Sequence, residues 1–373
     1  MLLIGAGIRT FLAVTTDGTT DVDTFDRFAR AVRTLGPFDI YGKDVASFPF
    51  NHAPLTPWLL IVMNRVVDAG VPFAVALRLG ATMADLGTGI LVFGLVRTRF
   101  GNGAALFAAG SILLNPLLIM TSGFHGNMEP FFILFLITAV FLTAHERHPV
   151  LAGICLGSAA SIKLMPALLI PLFAAIHLRH ARLRPFTAGV AASLTVIWLP
   201  PIVLNGGSLV RDVIGYGAIF GNAWGIQGLT ALAGLSWSAT LKRMMAGVAG
   251  LVGTVAGTIM ILRRPHRQIE SLLLAVVIAL VVTPSLGVQY LAWPVALGAL
   301  VDPRNTVLFS AVGASHLAAT YTHWSRGFPW TFADATRGLD GVAFATGLGA
   351  WLVMILWAAD LVRRLPRPNT GHP

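Results

Sequence analysis

Long continuous runs of apolar residues, separated by shorter polar segments, dominate the chain. The runs do not alternate between apolar and polar residues, which favours membrane-spanning helices over the strands of a barrel. Helices also satisfy their own backbone hydrogen bonds in lipid. The runs predict spans near 1–16, 71–96, 103–121, 129–144, 150–162, 164–178, 186–204, 244–262, 269–283, 286–301, 305–321 and 341–362. We therefore predict an all-α polytopic membrane bundle of about 10–12 transmembrane helices, forming a single membrane domain over residues 1–373.

The polar segments between these runs alternate in character, which predicts their sidedness. One set is short and basic, and the positive-inside rule places it in the cytoplasm: 97–99, Arg147, 179–184, 263–267, Arg304 and 363–367. The other set is longer and richer in aromatic and acidic residues, and we expect it outside: 17–54, 122–128, 205–243, 284–288 and 322–340. Lys242 and Arg243 are exceptions, because they are basic residues at a predicted outer helix end.

Composition supports the membrane interpretation. The chain is 55% hydrophobic and 11% charged, whereas soluble domains carry about 25% charged residues. The net charge of +10 resides in the basic turns, so membrane lipids are expected as partners and nucleic acid is not. The single cysteine, Cys155, excludes an intrachain disulfide and a cysteine metal cluster. The first apolar run resembles a spanning helix more than a cleaved signal peptide.

The longest polar segment, 17–54, holds six of the sixteen acidic residues. Within it, 22–35 has apolar residues at helical spacing on one face, as expected for an amphipathic helix lying in the membrane interface. At the start of this helix, Asp21 and Asp23 are candidates for a general base or for binding a divalent cation. Helix capping and solvated surface charge are the alternative interpretation. We expect 17–54 to be an outer catalytic loop.

Two further sites stand out. Asn51 and His52, in the segment FPFNHAP, lie where the chain re-enters the membrane and could hydrogen-bond a sugar or a phosphate; an aromatic anchor at the interface is the alternative. Lys163, in SIKLMP, is a cation within apolar sequence at an outer turn, where it could hold a lipid phosphate. A snorkelling or structurally paired lysine is the alternative.

Weaker candidates form polar and aromatic clusters at the other predicted outer helix ends: His125, Gln289, Tyr290, His323 and Arg326. Individually each resembles interfacial packing. Together they indicate one outward-facing cavity. The histidines lack the spacing of a zinc site, so no metal site is predicted apart from a cation at Asp21 and Asp23, and no other cofactor is expected. Asp85, within a span, is given a structural role.

The order of these features resembles the GT-C class of polytopic glycosyltransferases. It is similar to bacterial mannosyltransferases that use polyprenyl-phosphate-mannose and to the first mannosyltransferase of GPI-anchor synthesis. The resemblance covers about residues 20–300. It rests on Asp21 with an aromatic residue four positions on, FNHAP where the family commonly has Phe-Asn-Tyr-Pro-Pro, Lys163 in Lys-x-x-Pro, and Gln289-Tyr290 in Gln-Tyr-Leu-x-Trp.

The resemblance implies an inverting transfer of a sugar, commonly mannose, from a polyprenyl-phosphate donor to a lipid or glycan acceptor. Asp21 or Asp23 would be the general base, while Lys163, with His52 or Arg326, would stabilise the leaving phosphate. The bias of basic residues predicts that the site faces outward, and the compact, Ala/Gly-rich chain favours a bacterial inner membrane. A transporter or lipid flippase is the main alternative, because it too would contain spans with Lys163 and Asp85. A purely structural membrane subunit is the third.

Overall fold

The structure, a computed structural model, describes residues 1–146, 148–216 and 222–364 and confirms the all-α prediction, with 79% of it helical. Arg147 and the predicted basic residues beyond 364 lie outside the described residues. The first half contains α1 Leu2–Thr15, α2 Thr20–Asp39, α3 Thr56–Asp68, α4 Phe73–Leu113, α5 Pro116–Ile119, α6 Glu129–Ala144, α7 Pro149–Ala160 and α8 Ile170–Arg179. The second half contains α9 Leu183–Ser208, α10 Gly225–Leu232, α11 Ala239–Arg263, α12 Gln268–Val282, α13 Val295–Val301, α14 Pro303–Trp324 and α15 Gly341–Arg363.

Shorter elements join these helices. π-helical turns run over Met120–His125 and Leu209–Val213, and 3₁₀ turns over Met165–Leu169, Ile214–Tyr216, Val288–Ala292 and Ala335–Arg337. Four two-residue strands complete the described chain: β1 Gly18–Thr19, β2 Asn222–Ala223, β3 Ser285–Leu286 and β4 Phe332–Ala333. β1 pairs in parallel with β4, and β2 pairs antiparallel with β3. These short pairs connect loops by backbone hydrogen bonds and do not form an extended β-sheet.

Four helical stretches of the described chain are long and apolar enough to cross a membrane: Phe73–His125, Leu183–Tyr216, Ala239–Arg263 and Gly341–Arg363. Six apolar helices are shorter: Leu2–Thr15, Glu129–Ala144, Pro149–Ala160, Met165–Arg179, Gln268–Val282 and Val288–Val301. Most of these segments coincide with the predicted spans to within a few residues. The short ones need shielding by neighbouring helices, because about 20 apolar residues are required to cross the hydrocarbon core.

The structure differs in detail from the predicted elements between 97 and 128. The predicted turn at 97–99 is helical, and α4 changes direction at Gly101, whose φ of 80° is readily adopted only by glycine. Within the predicted span 103–121, α4 ends at Leu113, and helical turns continue over Pro116–Ile119 and Met120–His125. The predicted outer loop 122–128 is buried throughout. Apolar patterning could not distinguish a loop from a buried polar turn that packs inside the bundle.

The amphipathic helix predicted over 22–35 is present as the first part of α2. It begins at Thr20, one residue after the capping side chain of Thr19, and bends at Gly36, where φ is 86°. Its apolar face is buried through Val22, Phe25, Phe28, Ala29 and Val32. Phe28 packs edge-on against Phe50 at 4.8 Å between ring centroids, so α2 and the re-entry segment FPFNHAP form one unit.

A buried ion pair joins the first helix to α4. Arg9 Nε lies 3.3 Å from Asp85 Oδ2, and the two side chains are 0% and 2% exposed. The same guanidinium donates to Leu113 O at 2.6 Å and to Ser122 Oγ at 3.0 Å. Arg9 therefore neutralises Asp85 and also satisfies a carbonyl at the end of α4, where helices leave acceptors unpaired. This arrangement fits the structural role expected for Asp85.

Removing one member of this pair should strongly destabilise the protein. We expect Asp85→Ala to lower the free energy of unfolding by about 3–5 kcal/mol, because it leaves the Arg9 charge buried without a counterion. Thermal unfolding of the detergent-solubilised protein would measure the loss.

The exposed pair of Arg33 with Asp68, at 2.8 Å with both side chains about half exposed, supplies the control. Asp68→Ala should change stability little, because surface ion pairs contribute little. Equal effects of the two substitutions would contradict a structural role for the buried pair.

Candidate active site

A cavity of about 570 Å³ opens among α2, the re-entry segment, the turn after α7, and α11. It unites six of the residues predicted from the sequence: Asp21, Asn51, His52, Lys163, Gln289 and Tyr290. His125 lies immediately behind the cavity, in contact with Asp21. Residues from separate predicted clusters therefore line one cavity.

Asp21 is held by two side chains from the buried segment after α5. Its Oδ2 atom accepts a hydrogen bond from Asn127 Nδ2 at 2.5 Å and lies 3.0 Å from His125 Nε2. Its position at the first turn of α2 is fixed by Thr19, whose hydroxyl accepts from the Asp21 backbone N–H. Both hydrogen bonds within the described part of the chain go to the same oxygen, which leaves Oδ1 available to a ligand.

The histidine behind Asp21 has two specific partners. Because an ionised carboxylate only accepts hydrogen bonds, His125 Nε2 donates to Asp21. Its other ring nitrogen, Nδ1, lies 2.9 Å from the hydroxyl of Tyr321. With a neutral ring, Tyr321 donates to Nδ1 and fixes the tautomer. The chain Tyr321–His125–Asp21 thus orients the carboxylate from behind.

The two carboxylates near the start of α2 have different surroundings. Burial tends to raise the pKa of Asp21, but the hydrogen bond and charge of His125 and the charge of Lys163 outweigh it and leave that pKa lowered. Asp21 therefore stays ionised at neutral pH. Asp23 does not line the cavity, and partial burial raises its pKa. No group of three potential metal-ligating side chains occurs among the described residues.

Lys163 is held at the cavity by an ion pair. Its Nζ lies 3.1 Å from Glu129 Oε1, and Glu129 is fully buried. The ammonium also lies 5.3 Å from the ring centroid of Tyr290, within cation–π range. Burial alone would lower the pKa of Lys163, but the Glu129 carboxylate raises it well above the usual value. Lys163 is therefore a permanent cation in the cavity wall.

His52 is neutral, so of the roles expected for it, hydrogen bonding to a ligand remains and stabilising a phosphate by positive charge does not. Burial and the nearby charge of Lys163 lower its pKa to about 3. Its ring packs 4.9 Å from the Phe25 ring, and its carbonyl accepts from Tyr41 Oη at 3.2 Å. A neutral imidazole can hydrogen-bond a ligand but does not supply a positive charge to a phosphate.

Two buried polar atoms in the cavity wall lack a partner among the described residues. Asn51 Oδ1 and Trp293 Nε1 are both buried without a hydrogen bond. Buried polar groups are nearly always satisfied, so unsatisfied ones that line a cavity indicate a place for ligand atoms. Trp293 was not among the predicted site residues, although it completes the motif that contains Gln289 and Tyr290.

Arg243 is a second cation of the cavity wall that the sequence analysis did not select. It lies on the first turns of α11, is exposed, and has no hydrogen bond or ion pair with any residue that the structure describes. The sequence did contain an indication of this role, because Lys242 and Arg243 are the basic residues that lie at a predicted outer helix end. Asn127 was also missed; nothing in its spacing indicated a contact with Asp21.

Two predicted residues do not reach the cavity. His323 lies 3.5 Å from Asp340, and Arg326 is exposed in the following loop. Their segment supports the site from behind: β4 pairs with β1, and the Thr20 hydroxyl accepts a hydrogen bond from Ala335 N at 2.9 Å. The polar and aromatic residues of 322–340 therefore brace the start of α2 and do not line the chamber.

Close backbone packing fixes the distance between α2 and the buried segment. Gly126 has φ of 73°, and a side chain there would meet Val22 Cγ2 at 2.6 Å. Because only glycine combines this conformation with this contact, Gly126 lets His125 and Asn127 reach Asp21. Thr19 Oγ1 completes the junction by donating to His125 O at 2.9 Å.

Comparison with known proteins bears on this site. Residues 51–204 match the family described as Dolichyl-phosphate-mannose-protein mannosyltransferase, and the matched region contains Asn51, His52, His125, Glu129 and Lys163. No curated protein matches the chain. The family and the apolar helices indicate an integral membrane protein and support a glycosyltransferase. The chain thus resembles the GT-C class of polytopic glycosyltransferases, through a match to the dolichyl-phosphate-mannose-protein mannosyltransferase family over 51–204.

Proposed function

We propose that this protein is an inverting mannosyltransferase that uses a polyprenyl-phosphate-mannose donor and a hydroxyl of a lipid or glycan as acceptor. One observation carries the proposal: a single cavity combines an ionised, oriented carboxylate, two cations and apolar walls. That combination suits a lipid-linked sugar phosphate. The segment 17–54 would be the catalytic loop.

Asp21 would act as the general base. Its Oδ1 would accept the proton of the acceptor hydroxyl as that oxygen attacks the sugar C1. The bond between C1 and the phosphate oxygen breaks on the opposite face, so the configuration at C1 inverts. Asn127 and His125 would hold Oδ2 so that the free oxygen points toward the acceptor. The proton then leaves Asp21 for water with the departing product.

Lys163 and Arg243 would bind the phosphate. The donor phosphodiester carries one negative charge, and the released polyprenyl phosphate carries up to two. Cations placed where this charge develops stabilise the transition state more than the bound donor. Asn51 and Trp293, with their unsatisfied polar atoms, would contact the sugar or the phosphate.

Apolar side chains would accommodate the polyprenyl chain. The cavity continues beside Leu164, Met165 and Leu168 of the turn after α7 and beside 246–250 of α11. Gly247 has no neighbour within 4 Å of an added side chain, so this stretch of α11 is open. A chain lying here would keep its head group beside Lys163 while its tail remains among helices.

We also propose that the site faces the outer side of a bacterial inner membrane. The two ends of α12 support this orientation. Ala279 and Leu280 near one end line the candidate site, whereas the other end of the helix lies among the basic turns. Basic turns are typical of the cytoplasmic side.

Asp21 and Asp23 can be separated by substitution. We expect Asp21→Asn to reduce kcat by about 10²–10⁴-fold, because it removes the general base while preserving the hydrogen-bonding shape. Asp23→Asn, two residues away but outside the cavity, should stay within a few-fold of wild type. The measurement is mannose transfer from polyprenyl-phosphate-mannose by purified protein in detergent.

Donor binding by the Asp21→Asn protein, followed separately, checks that the site still forms. Retained turnover in Asp21→Asn would contradict the proposal. Loss of turnover in Asp23→Asn alone would move the base to that residue. Chelator addition to the same assay tests whether a divalent cation acts at these carboxylates.

The pH dependence of kcat/KM distinguishes the base further. Because the pKa of Asp21 lies below its usual 3.8, the base stays ionised and kcat/KM should remain level between about pH 5 and 7. A histidine base would make kcat/KM fall on the acid side around pH 6.5. Initial rates at subsaturating donor, with stability checked at each pH, measure this. A fall on the acid side of this range would exclude Asp21 as the base.

Arg243 offers a clean test of phosphate binding, because within the described chain it makes no contact needed for folding. Arg243→Gln should weaken donor binding by about 10–100-fold through loss of a charge-assisted hydrogen bond. Its neighbour Lys242 does not line the cavity, so Lys242→Gln is the matched control and should bind normally. Equal binding by both variants, measured by titration with the polyprenyl-phosphate donor, would exclude Arg243 from the phosphate site.

A further inference from the structure

A second and larger cavity lies at the other end of the bundle. Its volume is about 950 Å³, at the upper end of the roughly 300–1,000 Å³ of small-molecule pockets. It lies among the C-terminal part of α4, the ends of α6 and α8, and the starts of α12 and α14. Leu272 lines this cavity and Ala279 lines the candidate active site, about 10 Å further along the same helix. The two cavities are therefore distinct.

The walls of this second cavity are apolar, and its rim is charged. Phe173, Val140 and Leu272 are buried in its depth, whereas Phe100 and Phe107 are 68% and 57% exposed at its side. Exposed aromatic side chains on an apolar helix face lipid in a membrane bundle. The cavity is thus a cleft that an apolar chain can enter from the bilayer.

The rim offers two arginines to an anion. Arg99 is exposed and has no hydrogen bond or ion pair with another described residue, and Arg179 donates to Ile261 O and Leu262 O at the end of α11. Glu146, which also lines the cavity, is compensated, because it accepts a hydrogen bond from Arg182 at 2.9 Å. Arg99 therefore has unused donors beside an apolar cleft.

The rim also contains a second carboxylate, Glu270, in the first turn of α12, and this one has no ion pair among the described residues. A ligand that carried only negative charge would be repelled by it. A phospholipid head group with an N–H or O–H donor beside its phosphate satisfies the arginines and Glu270 together. The same molecule supplies acyl chains for the apolar walls.

We propose that this cavity binds a membrane phospholipid, with its phosphate at Arg99 and Arg179, its head-group donor at Glu270, and an acyl chain along Phe107 and Phe173. This site is separate from the candidate active site and does not depend on the proposed transfer reaction. Basic pockets between transmembrane helices are a known way of holding phospholipid head groups. The bound lipid would join α4, α8 and α12 at the end of the bundle where the short helices need shielding.

Native mass spectrometry of the full chain, released from detergent, tests this proposal. The probes are dioleoyl phosphatidylethanolamine, dioleoylglycerol with the same chains but no phosphate, and glycerol 3-phosphate with no chains. We expect an adduct that survives activation with the phospholipid alone. Equal retention of dioleoylglycerol would show a merely apolar cleft, and binding of glycerol 3-phosphate would show an anion site without lipid specificity. Either result overturns the proposal.

Matched substitutions locate the lipid. Arg99→Gln should weaken phospholipid retention by about tenfold or more, because it removes a charged donor to the phosphate. Arg97→Gln, two residues away and also exposed but outside the cavity, is the control and should bind as wild type. Ala104→Trp, at an exposed position of the cavity wall, should block the acyl chain and abolish the adduct.

A phospholipid adduct that is unchanged in both Arg99→Gln and Ala104→Trp would place the lipid elsewhere and overturn the proposal. Because the readout is binding, these outcomes are independent of any transfer activity. If the transfer assay fails and phospholipid binding is observed, the lipid site still stands. If transfer is observed and phospholipid binding is not, the lipid site is excluded.

Discussion

The ion pair between Lys163 and Glu129 is the interaction on which the candidate site depends. Glu129 is fully buried at the start of α6, and Lys163 lies in a turn that would otherwise place a cation among apolar helices. In a medium of low dielectric constant, burying either charge alone would cost a large desolvation free energy, which the opposite charge offsets. The pair therefore fixes the turn after α7 against α6. It also leaves the remaining donors of the ammonium free to bind a ligand.

The buried segment from Ser122 to Glu129 extends this logic. It contacts Arg9 through Ser122, Asp21 through His125 and Asn127, and Lys163 through Glu129. One short segment thus positions the charged groups of three separate parts of the chain. Polar residues inside a membrane bundle need partners, and this segment supplies them. Asp21 and Lys163, which this segment holds, keep hydrogen-bonding capacity that faces the cavity.

Charged side chains are arranged differently at the two ends of the bundle. Around the candidate active site, Asp21 and Lys163 are held in fixed geometry by His125, Asn127 and Glu129. At the opposite end, arginines collect in turns, several remain exposed, and the cavity between them opens beside exposed aromatic residues. The first arrangement suits chemistry on a head group held away from water, and the second suits retention of a lipid. The family match over 51–204 covers the segments that bring Glu129 and Lys163 together.

The sequence by itself determined the membrane bundle, most helix positions, the amphipathic start of α2, and six residues that share the cavity. Those features follow from apolar run length and from the cost of isolated polar groups in lipid, both of which are local. The tertiary structure alone decided that 122–128 is buried, that Asp21 and not Asp23 faces the cavity, and that Arg243 joins it while His323 and Arg326 do not. These outcomes depend on which helices are neighbours, because contacts such as Asn127 with Asp21 or β1 with β4 join residues more than 100 positions apart. The spacing of apolar and polar residues within one segment carries no information about such a contact.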